Sequence, residues 1–197
     1  PGDIKVDLET NQLTRDQSRK NNRNRFSYRL GTTAFLGGQQ LAIIPHYGRK
    51  RSTGLTRIYE DKFPVIKNIA DQVVANNQFE ADDRVKIGLA LERHFTMSGL
   101  YRYTLDLMGN TRPDVDPIEN FVANLREGHC QYFASALVLM LRSQNIPARM
   151  VVGYLGGEYN SMGNYYLVRE LNAHAWVEIY VTKEHIDGIE KTEIEKD

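Results

Sequence analysis

The sequence has one cysteine among its 197 residues and no excess of either charge, since 25 Lys and Arg balance 25 Asp and Glu. A single cysteine excludes an internal disulfide and any zinc or iron–sulfur site built from several cysteines. A chain without net charge lacks the overall field that draws a protein to nucleic acid or to an anionic membrane. We therefore expect no nucleic acid as a partner and no direct membrane insertion of this segment.

Long hydrophobic runs and cofactor motifs are also missing. The longest apolar run, residues 133–141, is far shorter than the ~20 residues that a membrane-spanning helix needs. The chain has neither a Gly-rich phosphate loop nor an HExxH zinc motif. It opens on Pro1 without a cleavable signal pattern, from which we expect a piece of a longer protein. We expect no metal and no cofactor, so side chains alone must carry any chemistry.

The first part of the chain predicts a small extension ahead of the core. Residues 1–25 are polar, which indicates an extended, solvated lead-in, with a phosphate-binding arm as the alternative. Loose alternation over 26–36 and a short apolar run over 41–47 predict two strands. A chain of this length suits one domain with such an attachment.

Apolar residues at helical spacing predict two helices, over about 65–77 and 82–95. Pro117 directly after Asp116 predicts a third helix start with Asp116 as its cap. A strand-like piece is predicted over 101–107, between the second and third of these helices.

An almost wholly apolar helix follows over 131–143, and such a helix belongs at the centre of a domain. Strands are predicted over 149–154, 165–169 and 174–181, with a glycine turn at 156–158. Helices followed by an antiparallel sheet indicate an α+β fold.

Cys130 follows the turn Gly128-His129 and opens the central helix. Unpaired backbone N–H groups and the positive end of the helix dipole face a side chain at that position. They favour the thiolate, which is the nucleophilic form, and they suit the oxyanion of a tetrahedral intermediate. The alternative for a lone cysteine is a small buried hydrophobe.

A thiolate needs a general base, and His174 is the best candidate among the five histidines. It begins an alternating strand, so His174, Trp176 and Glu178 share one face. We expect the side chain of His129 to diverge from the helix start, and His94 to be a core or surface histidine because it lies among apolar helix residues.

Three ordered motifs resemble the transglutaminase-like superfamily, and most of all its bacterial branch of cysteine proteases. They are GHCQYFA at 128–134, RSQNIPARMVVGY at 142–154 and NAHAWVE at 172–178. Asn145 stands where the family usually has Gly, and Asn172 where Asp is common.

The resemblance covers about residues 62–181 and implies a papain-like transglutaminase core. In that core a central helix bearing the nucleophile packs on an antiparallel sheet. The implied domains are a β-rich N-terminal extension over 1–61, the core over 62–181 and a charged segment over 182–197.

The resemblance also implies a Cys-His-Asp triad, with Cys130 as the nucleophile and His174 as its base. The family's Asp lies on the strand after the histidine, directly before a proline. This chain has no Asp-Pro after Val181, and Asp187, followed by Gly188, is the candidate acid. The alternatives are an acid beyond the chain end or no acid at all.

The implied reaction is cysteine-dependent acyl transfer at amide bonds through a thioester, as peptide hydrolysis or as protein cross-linking. The implied substrate is a protein or peptide. Related bacterial proteins imply an extracytoplasmic domain, periplasmic or at the cell surface, of a membrane-anchored parent. The alternative is a non-catalytic peptide-binding or structural module that keeps the fold.

Overall fold

The structure is a computed structural model that describes residues 4–7, 12–15, 53–106, 112, 114–163, 165–182 and 185. The chain divides into two units, residues 1–40 and 41–197. In the first unit, strand β1 (Ile4–Asp7) pairs antiparallel with strand β2 (Gln12–Arg15). A hairpin thus stands where the sequence predicted a solvated lead-in. The strands predicted at 26–36 and 41–47 lie outside the described residues.

The second unit contains four α-helices and six strands among the described residues. In chain order they are α1 (Pro64–Asn77), α2 (Arg84–Thr96), β3 (Arg102–Tyr103), α3 (Pro117–Asn120), β4 (Glu127–Gly128), α4 (Cys130–Ser143), β5 (Ala148–Tyr154), β6 (Glu158–Asn160), β7 (Tyr165–Leu167) and β8 (Ala173–Ile179). Helices precede the longest antiparallel strand pair, β5–β8, as the α+β prediction required.

Helix α4 lies at the centre of the second unit, as its composition predicted. It packs against α1, α2, β5 and β8. Ala136 and Met140 are fully buried, and Leu141 is 1% exposed. At its N-terminal half, Phe133 meets the ring of Phe121 edge-on, with ring centroids 5.0 Å apart. Burial of this helix on several sides accounts for its almost wholly apolar sequence.

The start of α3 confirms the predicted cap. The carboxylate of Asp116 accepts a hydrogen bond from the backbone N–H of Ile118 at 2.8 Å, and Pro117 occupies the first helical position. The apolar stripe that follows is not a regular helix, because residues 121–125 form a π-helical turn. Arg126 ends that turn in the left-handed region at φ 57°.

A buried glutamate joins α3 to the beginning of α1. Glu119 is 4% exposed, and its carboxylate accepts hydrogen bonds from the backbone N–H groups of Val65 at 2.6 Å and Ile66 at 3.3 Å. Both donors belong to the first turn of α1, whose N–H groups have no partner within the helix. A side chain more than fifty residues away therefore caps α1.

The loop between α4 and β5 is shaped by Asn145 and Arg142. Asn145 has φ 57°, a left-handed conformation that glycine and asparagine adopt most readily. This explains why asparagine can replace the glycine that the family usually has there. The guanidinium of Arg142 donates two hydrogen bonds to the carbonyl of Ala148, from Nε at 3.1 Å and Nη2 at 3.0 Å. These bonds hold β5 back against the end of α4.

Strands β5 and β8 pair antiparallel along their whole length, from Ala148 opposite Ile179 to Tyr154 opposite Ala173. The hairpin β6–β7 lies between them in the chain. The predicted turn at 156–158 is shorter than expected, because Glu158 already begins β6. Of residues 101–106, the described part of the strand predicted over 101–107, only Arg102–Tyr103 form a strand, which pairs in parallel with Glu127–Gly128. None of the described helices is long and apolar enough to cross a membrane.

Candidate functional site

The half-buried Cys130 is the first residue of α4, and His129 caps the helix in front of it. The Nδ1 atom of His129 accepts a hydrogen bond from the backbone N–H of Gln131 at 3.3 Å. Its ring lies edge-on to Tyr132, with centroids 5.1 Å apart. The expectation that this side chain diverges from the helix start is therefore wrong. An acceptor atom on a short side chain reaches the first-turn N–H groups in the same way as a capping asparagine does.

This cap changes which N–H groups are available beside the thiol. The carbonyl of His129 accepts hydrogen bonds from Tyr132 at 2.9 Å and from Phe133 at 3.4 Å, in addition to the Nδ1 bond from Gln131. Within the part of the chain that the structure describes, no hydrogen bond engages the N–H of Cys130 itself. The donor left at the helix start is thus the one nearest the sulfur. Since Nδ1 of His129 faces a helix N–H, it is not placed to take the thiol proton.

His174 is the second residue of β8 and lies directly opposite Gly153 of β5. The next residue, Ala175, is 4% exposed, and Val177 packs against the core. Because side chains alternate along a strand, His174 and Trp176 lie on the other face of β8, half-buried. The shared face predicted for these two residues and Glu178 is confirmed.

Glu178, on that same face, is held by a cross-strand ion pair. Arg149 lies directly opposite it, with Nη2 at 2.7 Å and Nε at 2.8 Å from the same carboxylate oxygen. Glu178 lies four positions after His174 along the strand, so the two residues are about 13 Å apart. Glu178 is therefore a structural partner of Arg149 and does not orient the imidazole.

Cys130 and His174 lie at the same end of the layer formed by α4 and β8. The short connection after α4 makes β5 return along the helix, and β8 is antiparallel to β5, so β8 runs in the same direction as α4. At the far end, Leu141 of α4 and Ile179 of β8 both approach Gly88 of α2. Cys130 at the start of α4 and His174 at the start of β8 therefore both lie at the opposite end of the layer. In the described residues no hydrogen bond joins the thiol to the imidazole, and such bonds often form only when substrate binds.

Asp187, the candidate third member, lies outside the described residues, so its role stays a prediction. Within the described ranges, no group of three or more His, Cys, Asp or Glu side chains is placed to hold a metal ion.

The structure has a cysteine at the start of a central helix and a histidine on an adjacent strand. This arrangement can be compared with those of known protein families. A sequence model described as the transglutaminase-like superfamily matches residues 67–187. The chain belongs to the transglutaminase-like superfamily. The predicted family and its α+β fold are thereby confirmed.

Named relatives of this transglutaminase-like chain come from two bacteria. It is 48% identical over 65 residues to the protein-glutamine gamma-glutamyltransferase of Pseudomonas aeruginosa, a match that covers 33% of this chain and 10% of that protein. It is 40% identical over 87 residues to the uncharacterized protein YebA of Bacillus subtilis, covering 42% of this chain and 12% of that protein. The matches thus span 10% and 12% of the length of these curated relatives.

Solved structures resemble the same transglutaminase-like fold. The periplasmic domain of TgpA from Pseudomonas aeruginosa matches with a TM-score of 0.56 and 31% identity, over 66% of this chain and 42% of that one. A structure of the same domain bound to ethylmercury matches with a TM-score of 0.55, over 64% of this chain and 43% of that one.

Proposed function

We propose that this transglutaminase-like domain performs cysteine-dependent acyl transfer at amide bonds, with Cys130 as nucleophile and His174 as general base. The observation that carries the proposal is the start of α4. There a half-buried thiol stands beside its own backbone N–H, which no hydrogen bond among the described residues engages, while His129 accepts hydrogen bonds from the N–H groups of the next three residues. An N–H in that position suits the oxyanion of a tetrahedral intermediate formed at the sulfur.

In the proposed first step, His174 takes the thiol proton and the sulfur of Cys130 attacks the carbonyl carbon of a carboxamide. The carbonyl electron pair moves to oxygen, where the N–H of Cys130 is positioned to donate a hydrogen bond. When the intermediate collapses, the C–N bond breaks and the nitrogen leaves as ammonia or an amine with the proton returned by His174. The product on the enzyme is a thioester.

In the second step, water or a primary amine attacks the thioester carbon after giving a proton to His174. The C–S bond breaks, and the sulfur leaves as thiolate or takes the proton back. Water completes hydrolysis of a peptide or amide, and a lysine amine completes a cross-link. The relative named as a protein-glutamine gamma-glutamyltransferase supports amine transfer as one of these outcomes.

A protein or peptide is the proposed substrate, and exposed aromatic side chains on the segment that connects β5 to β8 support it. Hairpin β6–β7 follows β5 closely and exposes Tyr159, Tyr165 and Tyr166, while Tyr154 at the end of β5 is 62% exposed. Tyrosine combines a large apolar ring with a hydroxyl that bonds peptide groups, and exposed clusters of such residues mark interaction surfaces.

The domain is also proposed to work outside the cytoplasm, as part of a membrane-anchored parent protein. The likeness to a periplasmic domain of TgpA supports this location. In the intact parent in whole cells, a membrane-impermeant thiol reagent is expected to label Cys130. Labelling only after lysis would place the domain inside the cell.

The experiment that tests the catalytic pair is the pH dependence of Cys130 alkylation by iodoacetamide, read by mass spectrometry. An ordinary thiol reacts well only above about pH 8, because its pKa is ~8.5. We expect Cys130 to react rapidly near pH 7, and His174→Ala to change the pH profile. Asp187→Asn is expected to change it in the same direction if Asp187 orients the imidazole.

His129→Asn is the matched control, since asparagine keeps a capping acceptor and removes the ring. It is expected to leave the pH profile close to that of the unmodified chain. If Cys130 reacts only at alkaline pH and His174→Ala changes nothing, the chain has no coupled pair, and the non-catalytic module becomes the better interpretation.

A further inference from the structure

A close contact between Gly153 and Trp176 lies beside His174 on the outer face of the β5–β8 pair. Gly153 is the cross-strand partner of His174, and Val151 is that of Trp176. A methyl group built on Gly153 would lie 2.9 Å from Cη2 and 3.3 Å from Cζ3 of the Trp176 indole. The rim of the indole therefore rests on the backbone of Gly153.

From Trp176, the indole could extend diagonally across the strand pair either towards Gly153 or towards Arg149, so the direction that it takes is informative. Towards the C-terminal end of β8, the same face is filled by the ion pair of Arg149 and Glu178. Towards the N-terminal end, the partner of His174 has no side chain, so that space is open to the indole. Residues directly opposite in an antiparallel pair share a face and are close neighbours. The indole thus occupies the cross-strand space that a side chain opposite His174 would fill.

We propose that Gly153 seats the indole of Trp176, and that the seated indole closes the cross-strand side of His174 and so restricts the orientations open to its imidazole. Gly153 and Trp176 are positioning residues in this proposal, which rests on the proposed function in making His174 the base. It connects two motifs that are separate in the sequence, since Gly153 belongs to the VVGY segment and Trp176 to the NAHAWVE segment.

Gly153→Ala is a specific way to disturb this contact. Gly153 is not among the described glycines with positive φ, which are Gly99 and Gly156, so alanine brings no backbone strain there. The atoms that a new methyl group would meet belong to the far end of a side chain. The indole must therefore move, whereas the backbone pairing of β5 with β8 stays possible.

Gly88→Ala is the matched control, because it makes the same chemical change at the far end of the layer. A methyl group on Gly88 would lie 3.5 Å from Cδ1 of Ile179 and 3.9 Å from Cδ2 of Leu141, which are ordinary van der Waals distances. It is expected to leave both the fold and the surroundings of His174 unchanged.

The first readout is the NMR signal of the His174 ring protons followed through a pH titration, assigned by its loss in His174→Ala. A nearby indole shifts such protons through its ring current. We expect Gly153→Ala and Trp176→Phe each to move this signal, and Gly88→Ala to leave it in place. The second readout is the alkylation rate of Cys130, which we expect Gly153→Ala to lower by about tenfold. This is less than the ~100-fold loss that a misplacement of about 1 Å can cause in catalysis, because iodoacetamide requires only that the thiol lose its proton.

The double variant Gly153→Ala with Trp176→Phe separates a contact from two independent effects. If the methyl group acts by displacing the indole, adding Gly153→Ala to Trp176→Phe changes the His174 signal much less than it does alone. If the changes in the His174 signal caused by the two substitutions simply add, Gly153→Ala does not act through the indole, which would contradict the proposed contact.

The two proposals fail in different ways. If Gly153→Ala leaves the His174 signal unchanged, the proposed role of Gly153 and Trp176 is overturned, whatever the alkylation rate of Cys130. If Gly153→Ala moves the His174 signal but His174→Ala does not affect the alkylation of Cys130, the role of Gly153 and Trp176 is supported and the catalytic pair is wrong. If the signal and the alkylation profile both change in Gly153→Ala and neither changes in Gly88→Ala, both proposals are supported.

Discussion

The two ends of the layer formed by α4 and β8 are built from the same helix and the same strands, yet their side chains differ in kind. At the C-terminal end Leu141, Ile146 and Ala148 are each 1% exposed, and Arg142 bonds the start of β5. At the N-terminal end the polar side chains of Cys130 and His174 are half-buried. The comparison teaches that one end of the layer supplies stability, and that this lets the other end keep reactive groups within reach of solvent.

The largest expected effect is the loss of acyl transfer in Cys130→Ser. Serine is close to cysteine in size, but its hydroxyl is a far weaker nucleophile with an imidazole base alone. We expect transfer from a glutamine-containing peptide to a primary amine, measured in the parent protein, to fall by about a thousandfold or more.

The thermal midpoint of Cys130→Ser is expected to stay near that of the unmodified chain. Transfer that persists in the serine variant would show that Cys130 is not the nucleophile and would remove the contrast between the two ends.

Leu141→Ala at the other end is expected to have the opposite profile. Removing a fully buried leucine loses its transfer free energy and leaves a cavity, so the free energy of unfolding should fall by about 2–5 kcal/mol. Urea unfolding followed by circular dichroism measures the loss. Cys130→Ala is the control and should lose much less, because its side chain is smaller and half-buried. Equal losses would mean that both ends contribute alike to stability.

Glu119→Ala extends the comparison to a buried polar group outside the layer, one that contributes to stability by capping α1. The variant leaves the N–H groups of Val65 and Ile66 without their acceptor, and we expect a loss of about 1–3 kcal/mol in the free energy of unfolding. Glu119→Gln keeps one acceptor oxygen and should lose less. Urea titration of both variants checks the order, and an unchanged midpoint in the alanine variant would contradict the capping role.

The smallest expected effect concerns His94, a histidine in the packed region. Burial lowers the pKa of His94 from its ordinary 6.5, and the charge of Arg126 lowers it further. Its Nε2 atom is buried and has no hydrogen-bond partner among the described residues, and the centroid of its ring lies 5.6 Å from that of Tyr101. The unfolded chain therefore takes up a proton at a higher pH than the folded chain does. This contribution makes folding less stable as the pH falls below about 6.5.

His94→Phe removes that titration and should flatten the dependence of the thermal midpoint on pH between about pH 7 and pH 5. Thermal scans of both proteins across this range provide the measurement. A slope that is the same in the variant and in the unmodified chain would show that His94 contributes nothing to the acid sensitivity.

Local patterns predicted the helices well, because each depends on contacts between residues three and four apart. The periodicity placed α1 and α2, Pro117 and Asp116 marked the start of α3, and the apolar run marked α4 as the central helix. Prediction was poorer for short strands. In its described part, residues 101–106, the strand expected over 101–107 is limited to Arg102–Tyr103, since its extent depends on pairing with Glu127–Gly128 rather than on its own residues.

The sequence by itself determined the family, the central helix and the cysteine at its first residue, because these follow from motifs and from short-range periodicity. Only the tertiary structure decided that Glu119 caps α1, that Trp176 rests on Gly153, and that α4 and β8 begin at the same end of one layer. Each of these depends on residues far apart in the chain, whose closeness leaves no periodic trace in the sequence and is set by how the helices and strands pack together.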